Sequence, residues 1–511
     1  MENSDSRAIY IVPSLIVFLA VLFVTLSYRW PFGWDIFYHI HISKVYITEG
    51  LTLFDPIYNA PAGNIINYPP IFHFTLILLS YILRTGLFET ARFMQPFLAG
   101  LVVLSVSFVA SKFYKNQMIG LAAGILLFSG AISARLVQAL PENMALIFFP
   151  LSIYFYYKFF KEDKPITAVI SGLLMGLIAL IHPAATFCLG FTVTIITLGI
   201  MGSELYMERN LSVIGRVLFS YILFIISAGL IAALWWAPAI YFKNTGPGGV
   251  STALQTSRRL SILKYPNALG YPAIILSAIG VITALKRFEL EDRIILLWIL
   301  AVLLLSKAYY FGINVITYRV LIYIMIPLSI LAASGLISAF KSIQRKDKNL
   351  AWIFLALILI LATFQGFSNL SSKNIADYGA LTHHGRVVIA PPAESEVELA
   401  EWFNKQGDNG TISFSNYFTA GFVMAYTNRP VNPLLYEKGG MPTAEEISKN
   451  GTRYLVFDKR LKATGNFTFK VSEGFIFYNP SLINVSSLNH TYLERVYENR
   501  DFVVYLYMTE Q

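Results

Sequence analysis

The sequence is poor in charge and nearly devoid of cysteine. Only 14% of its 511 residues are Asp, Glu, Lys or Arg, against roughly a quarter in ordinary soluble domains. A soluble fold of this length needs more polar surface than that, so a purely soluble globular protein is excluded. The one cysteine, Cys188, lies inside an apolar run. An intrachain disulfide and any metal or redox centre built on paired thiols are therefore excluded. No internal repeat and no low-complexity segment is visible. Acidic residues number 30 against 39 basic ones, giving a formal net charge of +9. That balance would suit nucleic acid, but the basic residues sit between apolar segments, where membrane topology uses them. No nucleic-acid partner is expected.

What the chain has instead is apolar length. Apolar residues make up 56% and aromatic residues 15%, with many Tyr and Trp flanking the apolar runs, as at membrane interfaces. Runs of about 17–25 residues can cross a hydrocarbon core about 30 Å thick. Spans are expected at 8–28, 89–112, 117–134, 144–160, 165–181, 185–201, 211–236, 268–286, 293–306, 318–339 and 350–367, about eleven in all. The first, Ala8 to Tyr28, lacks a small-residue cleavage site before Trp30 and reads as an anchor rather than a removed signal peptide.

The run 70–84 is about 15 residues, short for a span. If it does not cross and the N-terminus is cytoplasmic, the inside loops collect Arg7, Lys112, Lys115, Lys158, Lys161, Lys164, Arg209, Lys286, Arg287, Arg293, Lys341, Arg345, Lys346 and Lys348. The outside loops are far sparser in basic residues. Positive residues stay inside, so 70–84 reads as a juxtamembrane or re-entrant helix, with the N-terminus in and the C-terminus out. The tail from about Ser368 is then extracytoplasmic. Six sequons agree with that: Asn369, Asn409, Asn450, Asn466, Asn484 and Asn489 each precede x-Ser/Thr, and such acceptors are used outside the cytoplasm. Asn and Ser/Thr are also simply common in polar domains. Glu394–Lys405 reads as a helix, and Thr411–Phe414, Tyr454–Phe457, Gly474–Tyr478 and Phe502–Tyr507 read as strands. The expected organisation is an all-α polytopic membrane domain, 1–367, with its first outside loop at 29–88, followed by an α+β domain at 368–511.

That first outside loop is the segment richest in chemistry. It carries Trp30-Pro-Phe-Gly-Trp-Asp35, Tyr38-His39-Ile-His41, Asp55-Pro56 and Tyr68-Pro69-Pro70. Ionisable groups at membrane depth are functional candidates. On a single helix Asp35, Tyr38, His39 and Lys44 share sides only in part, so the helix alone does not assemble a site.

The segment resembles the start of the GT-C glycosyltransferase superfamily, which includes oligosaccharyltransferase catalytic subunits, protein O-mannosyltransferases and aminoarabinose transferases. The shared plan is a first helix, an outside loop with an acid just past it, a juxtamembrane region ending in a Pro-Pro element, and many further spans. Asp35 matches the acid and Tyr68-Pro69-Pro70 the Pro-Pro element. The second acid expected in the next outside loop falls on Glu142, in Pro141-Glu142-Asn143. The oligosaccharyltransferases carry Asp-x-Glu there; residue 140 here is Leu, which weakens tight metal binding. His182-Pro183 and Tyr318-Arg319 lie at outer helix ends, and the resemblance suggests Arg319 for a lipid phosphate. Ser415-Asn-Tyr-Phe-Thr-Ala-Gly421 resembles the oligosaccharyltransferase tail segment, but its Trp-Trp-Asp is missing, which argues against standard sequon reading.

The resemblance implies a glycosyltransferase moving a sugar from a polyprenyl-phosphate-linked donor to an extracytoplasmic acceptor by inverting transfer at the cell membrane. Glycosyl transfer needs a carboxylate to activate the nucleophile and a cation or guanidinium to meet the leaving phosphate. Asp35 and Glu142 are the expected catalytic acids, and together the pair that could hold a divalent cation, Mg or Mn. Tyr38, His39, His41, Tyr68, His182 and Arg319 are the expected substrate-binding residues, and the Arg258-Arg259 pair could meet donor phosphates. Each has a plainer reading: Asp35 as a solvated helix-end carboxylate, Glu142 as an acid at a helix start, the histidines and Arg319 as interfacial residues. A degenerate, non-catalytic relative is the alternative. A transporter is disfavoured, because its ionisable groups belong within mid-membrane helices.

Overall fold

The structure is a computed structural model and describes residues 9–130, 133–208, 211–243, 259–313, 315–370, 392–463, 465–472 and 474–508. Arg258 lies outside the described residues. The chain forms two compact units: Met1–Arg29, Tyr68–Phe72 and Phe93–Ser371 make the first, and Trp30–Asn67, His73–Arg92 and Ser372–Gln511 the second.

The first unit is helical. Most of the apolar stretches expected to span lie on single helices, from Val12–Leu26 to Lys348–Asn369; the helix in 117–134 ends at Ser129, 268–286 is broken at Gly270, and the ambiguous run near 70–84 is the helix Ile71–Leu83. Among the described residues, six helices are long and apolar enough to cross a membrane, or seven if the sharply bent pair Ile262–Leu269 and Tyr271–Arg287 is one span. Gln117–Ser129 and Pro165–Ala179 are apolar but have only 13 and 15 residues. At about 1.5 Å per residue each falls short of a full crossing. Local signals set several ends. Asn116 accepts from the amides of Met118 (2.9 Å) and Ile119 (3.3 Å) to start one helix, and Asp347 does the same for Asn349 (2.8 Å) and Leu350 (3.0 Å).

Helices in lipid gain little by hiding apolar surface from one another, so close approach of small residues carries the packing. The central helix Thr317–Gln344 shows this. A Cβ on Gly335 would stand 2.2 Å from the Leu276 carbonyl oxygen and 2.6 Å from the Gly280 amide nitrogen, so only glycine lets this helix touch Tyr271–Arg287. Asn369, first of the sequons, is buried, and its amide donates to the carbonyls of Ser129 (3.0 Å) and Gly130 (2.8 Å). That side chain is committed inside the fold.

The second unit is built on a five-stranded mixed sheet in the order 431–432, 411–414, 452–458, 502–507, 493–498. The first three strands are parallel and the last two run antiparallel. The helix Glu394–Lys405 and the strands Thr411–Phe414 and Phe502–Tyr507 have the bounds read from the sequence. Leu435, Ile447, Leu455 and Val503 are fully buried in its core, each adding about 1.5–3 kcal/mol over an exposed side chain.

The loop that follows the first helix belongs to this unit. Tyr58 bridges to Val431 in parallel, the Ala60 amide donates to the Val431 carbonyl (2.9 Å), and the Val431 amide donates to the Ile57 carbonyl (3.0 Å). The segment 57–60 therefore completes the open edge of the sheet. Trp30 and Phe37 meet Phe422 edge-on at 5.3 and 5.1 Å, and the Lys44 ammonium donates to the Tyr426 carbonyl (3.3 Å).

Candidate active site

The expected site residues fall in both units: Tyr68, Glu142, His182 and Arg319 in the first, Asp35, Tyr38, His39 and His41 in the second.

In the first unit the site grows from the turn before the helix Pro141–Glu162. Proline at the first helical position needs no amide partner and presets the backbone. Asn143 then ties the preceding turn down, donating to the carbonyls of Arg135 (2.9 Å) and Gln138 (2.6 Å). This places the Arg135 guanidinium on Glu142: Nε and Nη2 donate to Oε2 at 2.7 and 2.6 Å. The Tyr323 hydroxyl donates to Oε1 at 3.0 Å. Glu142 is 3% exposed, so its charge is met by direct bonds rather than water. Arg319 adds further positive field at this carboxylate.

His182 caps the next helix, Pro183–Glu208. Its Nδ1 accepts from the Ala185 amide at 3.1 Å, which leaves the proton of the neutral ring on Nε2. The Tyr68 ring lies 6.2 Å from it, and the Ile71 amide donates to the Leu180 carbonyl (3.2 Å), so the Pro-Pro element is fastened to this junction. The first unit thus gathers Tyr68, Glu142 and His182, with Arg319 within electrostatic reach. Arg135 and Tyr323 are the members the sequence reading left unassigned. Both had a signal. Arg135 precedes Glu142 in the same connecting turn, and Tyr323 lies one helical turn after Arg319, on the same face.

In the second unit Asp35 is exposed and opens the helix Asp35–Glu49, where a carboxylate suits the positive helix end. His39 and His41 point to different partners. His39 Nδ1 and His73 Nε2 are 3.0 Å apart and share one proton between them. His41 Nε2 bonds Asp55 Oδ2 at 2.8 Å, while Asp55 Oδ1 accepts from the amides of Ile57 (2.9 Å) and Tyr58 (3.2 Å). Both rings are buried, so they shape the loop from within. Tyr38 is half-buried, and its ring lies 6.4 Å from that of Tyr58.

Tyr58, Tyr417 and Tyr436 carry no role assigned from the sequence, although Tyr417 lies in the 415–421 segment. The Tyr58 hydroxyl interacts with those of Tyr417 and Tyr436, and Asp35 acts on Tyr417. Burial pushes all three phenols up; Tyr58 adds to the rise at Tyr417 and Tyr436, while its hydrogen bonds to them offset part of its own, so they remain neutral donors at physiological pH.

A divalent cation does not fit Glu142 as arranged, since one carboxylate oxygen holds a guanidinium and the other a phenol. Among the described residues, no group of three or more His, Cys, Asp or Glu is placed to hold a metal ion.

No protein-family model matches the chain, and no curated protein matches it by sequence. Solved structures match its fold. The oligosaccharyltransferase of Archaeoglobus fulgidus, in its apo form, superposes with a TM-score of 0.64 at 13% identity, over 90% of this chain and 70% of that one. ArnT from Cupriavidus metallidurans, bound to undecaprenyl phosphate, matches over 98% of both chains with a TM-score of 0.63 and 12% identity. The arabinofuranosyltransferase AftD from Mycobacteria matches 99% of this chain but 40% of its own, with a TM-score of 0.60 and 14% identity. The archaeal enzyme is also known in complex with Zn and sulfate, and with an inhibitory peptide and a dolichol-phosphate. The chain therefore shares the fold of these proteins, a body of many apolar helices followed by a C-terminal sheet region.

Proposed function

We propose that this chain is a GT-C glycosyltransferase that moves a sugar from a polyprenyl-phosphate-linked donor to an extracytoplasmic acceptor, with inversion at the anomeric carbon. The observation that carries the proposal is the cluster around Glu142. Arg135 and Arg319 both act on one carboxylate, an arrangement that leaves positive charge over for an anionic group. A membrane-embedded donor whose leaving group is a phosphate has that character.

In this reading Asp35 takes the proton of the acceptor nucleophile as it attacks the anomeric carbon, and the sugar–phosphate bond breaks. Arg319 holds the leaving phosphate. Glu142 orients Arg135 and Tyr323. Tyr38 and Tyr68 contact substrate, and the neutral His182 offers its Nε2 proton to a phosphate oxygen. His39 and His41, paired with His73 and Asp55, hold the loop that carries Asp35. About eleven spans, an inside N-terminus and an extracytoplasmic C-terminal unit at the cell membrane complete the proposal. No step is routed through a metal.

The test is transfer of labelled sugar by the purified protein from a panel of polyprenyl-phosphate sugars, alongside Asp35→Asn. Loss of about 10²–10⁴-fold in rate with normal expression is expected for removal of a general base. Unchanged transfer by the variant would remove Asp35 from the role. Failure with every donor would favour a degenerate, non-catalytic relative.

A further inference from the structure

In the second unit two tyrosines emerge just past the carboxyl ends of neighbouring parallel strands. Tyr417 opens the helix that follows strand 411–414, and Tyr436 lies on the short helix that follows strand 431–432. Both are fixed by their backbones. The Tyr417 amide donates to the Gly474 carbonyl (3.0 Å), and Asn416 caps that helix by accepting from the amides of Phe418 (3.0 Å) and Thr419 (3.3 Å). The Leu435 amide donates to the Ser413 hydroxyl (2.8 Å). Tyr58 arrives from the outer loop, held by its bridge to Val431. The rings of Tyr417 and Tyr436 are 6.3 Å apart, all three side chains are partly exposed, and the Asp35 charge reaches Tyr417. The carboxyl ends of parallel strands are where open α/β sheets hold ligands.

We infer that Tyr58, Tyr417 and Tyr436 form the acceptor subsite beside Asp35, and that it takes a neutral, hydroxyl-rich acceptor, an uncharged glycan. The inference rests on the glycosyl-transfer reading of the same site. Phenols give and receive hydrogen bonds as sugar hydroxyls do, and their rings offer apolar faces to the C–H faces of a pyranose. The charges that act on them most strongly are Asp35, Asp55 and Glu437. All are negative, so a uronate or phosphate-bearing acceptor meets repulsion here.

The test uses the full chain in lipid nanodiscs and saturation-transfer NMR. The probes are neutral gluco-, manno- and galacto-configured tetrasaccharides, with hexuronate tetrasaccharides as the charged counterparts. Saturation transfer to at least one neutral glycan and none to the hexuronates is expected. Tyr417→Phe and Tyr436→Phe keep the rings and drop one hydroxyl each, and each should weaken binding by about three- to tenfold. A preference for hexuronate, no binding of any neutral glycan, or binding indifferent to both substitutions overturns the proposal. Tyrosine-dependent glycan binding without sugar transfer from any donor would leave the subsite standing and remove the transferase reading. Transfer whose acceptor KM is unchanged in both Phe variants would do the reverse.

Discussion

Arg135 grips Glu142 with two nitrogens on a single oxygen, Nε at 2.7 Å and Nη2 at 2.6 Å, while Tyr323 holds the other oxygen at 3.0 Å. The carboxylate is buried and fully engaged, so its neighbours decide what it can do.

Breaking that pair leaves a buried charge without its partner. Arg135→Leu is expected to cost about 3–5 kcal/mol, seen as a drop in the melting midpoint of the detergent-purified protein. Glu142→Gln in the same chain should recover most of the loss. A melting curve unchanged by Arg135→Leu would show that the guanidinium does not stabilise the turn.

Occupied oxygens also bear on metal dependence. With Glu142 held as it is, transfer in excess EDTA should stay within about twofold of the untreated rate, since no cation then supplies the phosphate charge. A large loss restored by Mg or Mn would mean that Arg135 lets go of Glu142 when substrate binds.

Arg319 opens the central helix, within electrostatic reach of Glu142. If it holds the donor phosphate, Arg319→Gln should raise the donor KM by about tenfold or more, because a charge-assisted bond is lost. Arg319→Lys should restore part of it, lacking the forked geometry. An unaltered donor KM would leave Arg319 as an interfacial cation.

The C-terminal unit has an acid-sensitive tie. Burial alone would raise the Asp408 carboxyl, but hydrogen bonds from the Tyr454 hydroxyl (2.6 Å), the Gly410 amide (3.1 Å) and the Arg429 guanidinium outweigh it and hold it below the usual range. A carboxylate lowered in the folded state contributes stability above its unfolded pKa and loses it as pH falls through the folded value. The loss therefore lies below about pH 4. Asp408 is 42% exposed, so the contribution is at most about 1 kcal/mol. Protection factors of the 394–414 segment, corrected for intrinsic exchange, should fall as pH drops below about 4 in the parent chain and change less in Asp408→Asn. Equal pH dependence in both would rule out the tie.

Much of the helical plan could be read from the chain because long apolar runs have few folds open to them but a helix, and some carry their own start. Asn116 and Asp347 mark helix starts by side chains close in sequence, and Glu394–Lys405 carries its acids in the first turn. The strand Thr411–Phe414 was legible because short β-branched and aromatic runs bounded by turns have few other uses. Partners distant in sequence were not legible. Nothing local announces that Tyr58 pairs with Val431, or that Tyr58, Tyr417 and Tyr436 meet. Asp35 could be singled out, but its surroundings depend on this pairing. His39 and His41 attracted attention as ligands, and only His73 and Asp55, brought in by the fold, account for where their rings point.

The bridge from Tyr58 to Val431 has one more consequence. The strand 431–432 borders the sheet, and its outer backbone groups are satisfied by residues 57 and 60. Residues 372–511 made alone would carry an unprotected border, ready to recruit any passing strand. The two segments are thus one inheritance. A chimera that takes this tail from one relative and the first loop from another joins a lid to the wrong box, and only exchanges that carry both segments together keep the seam closed.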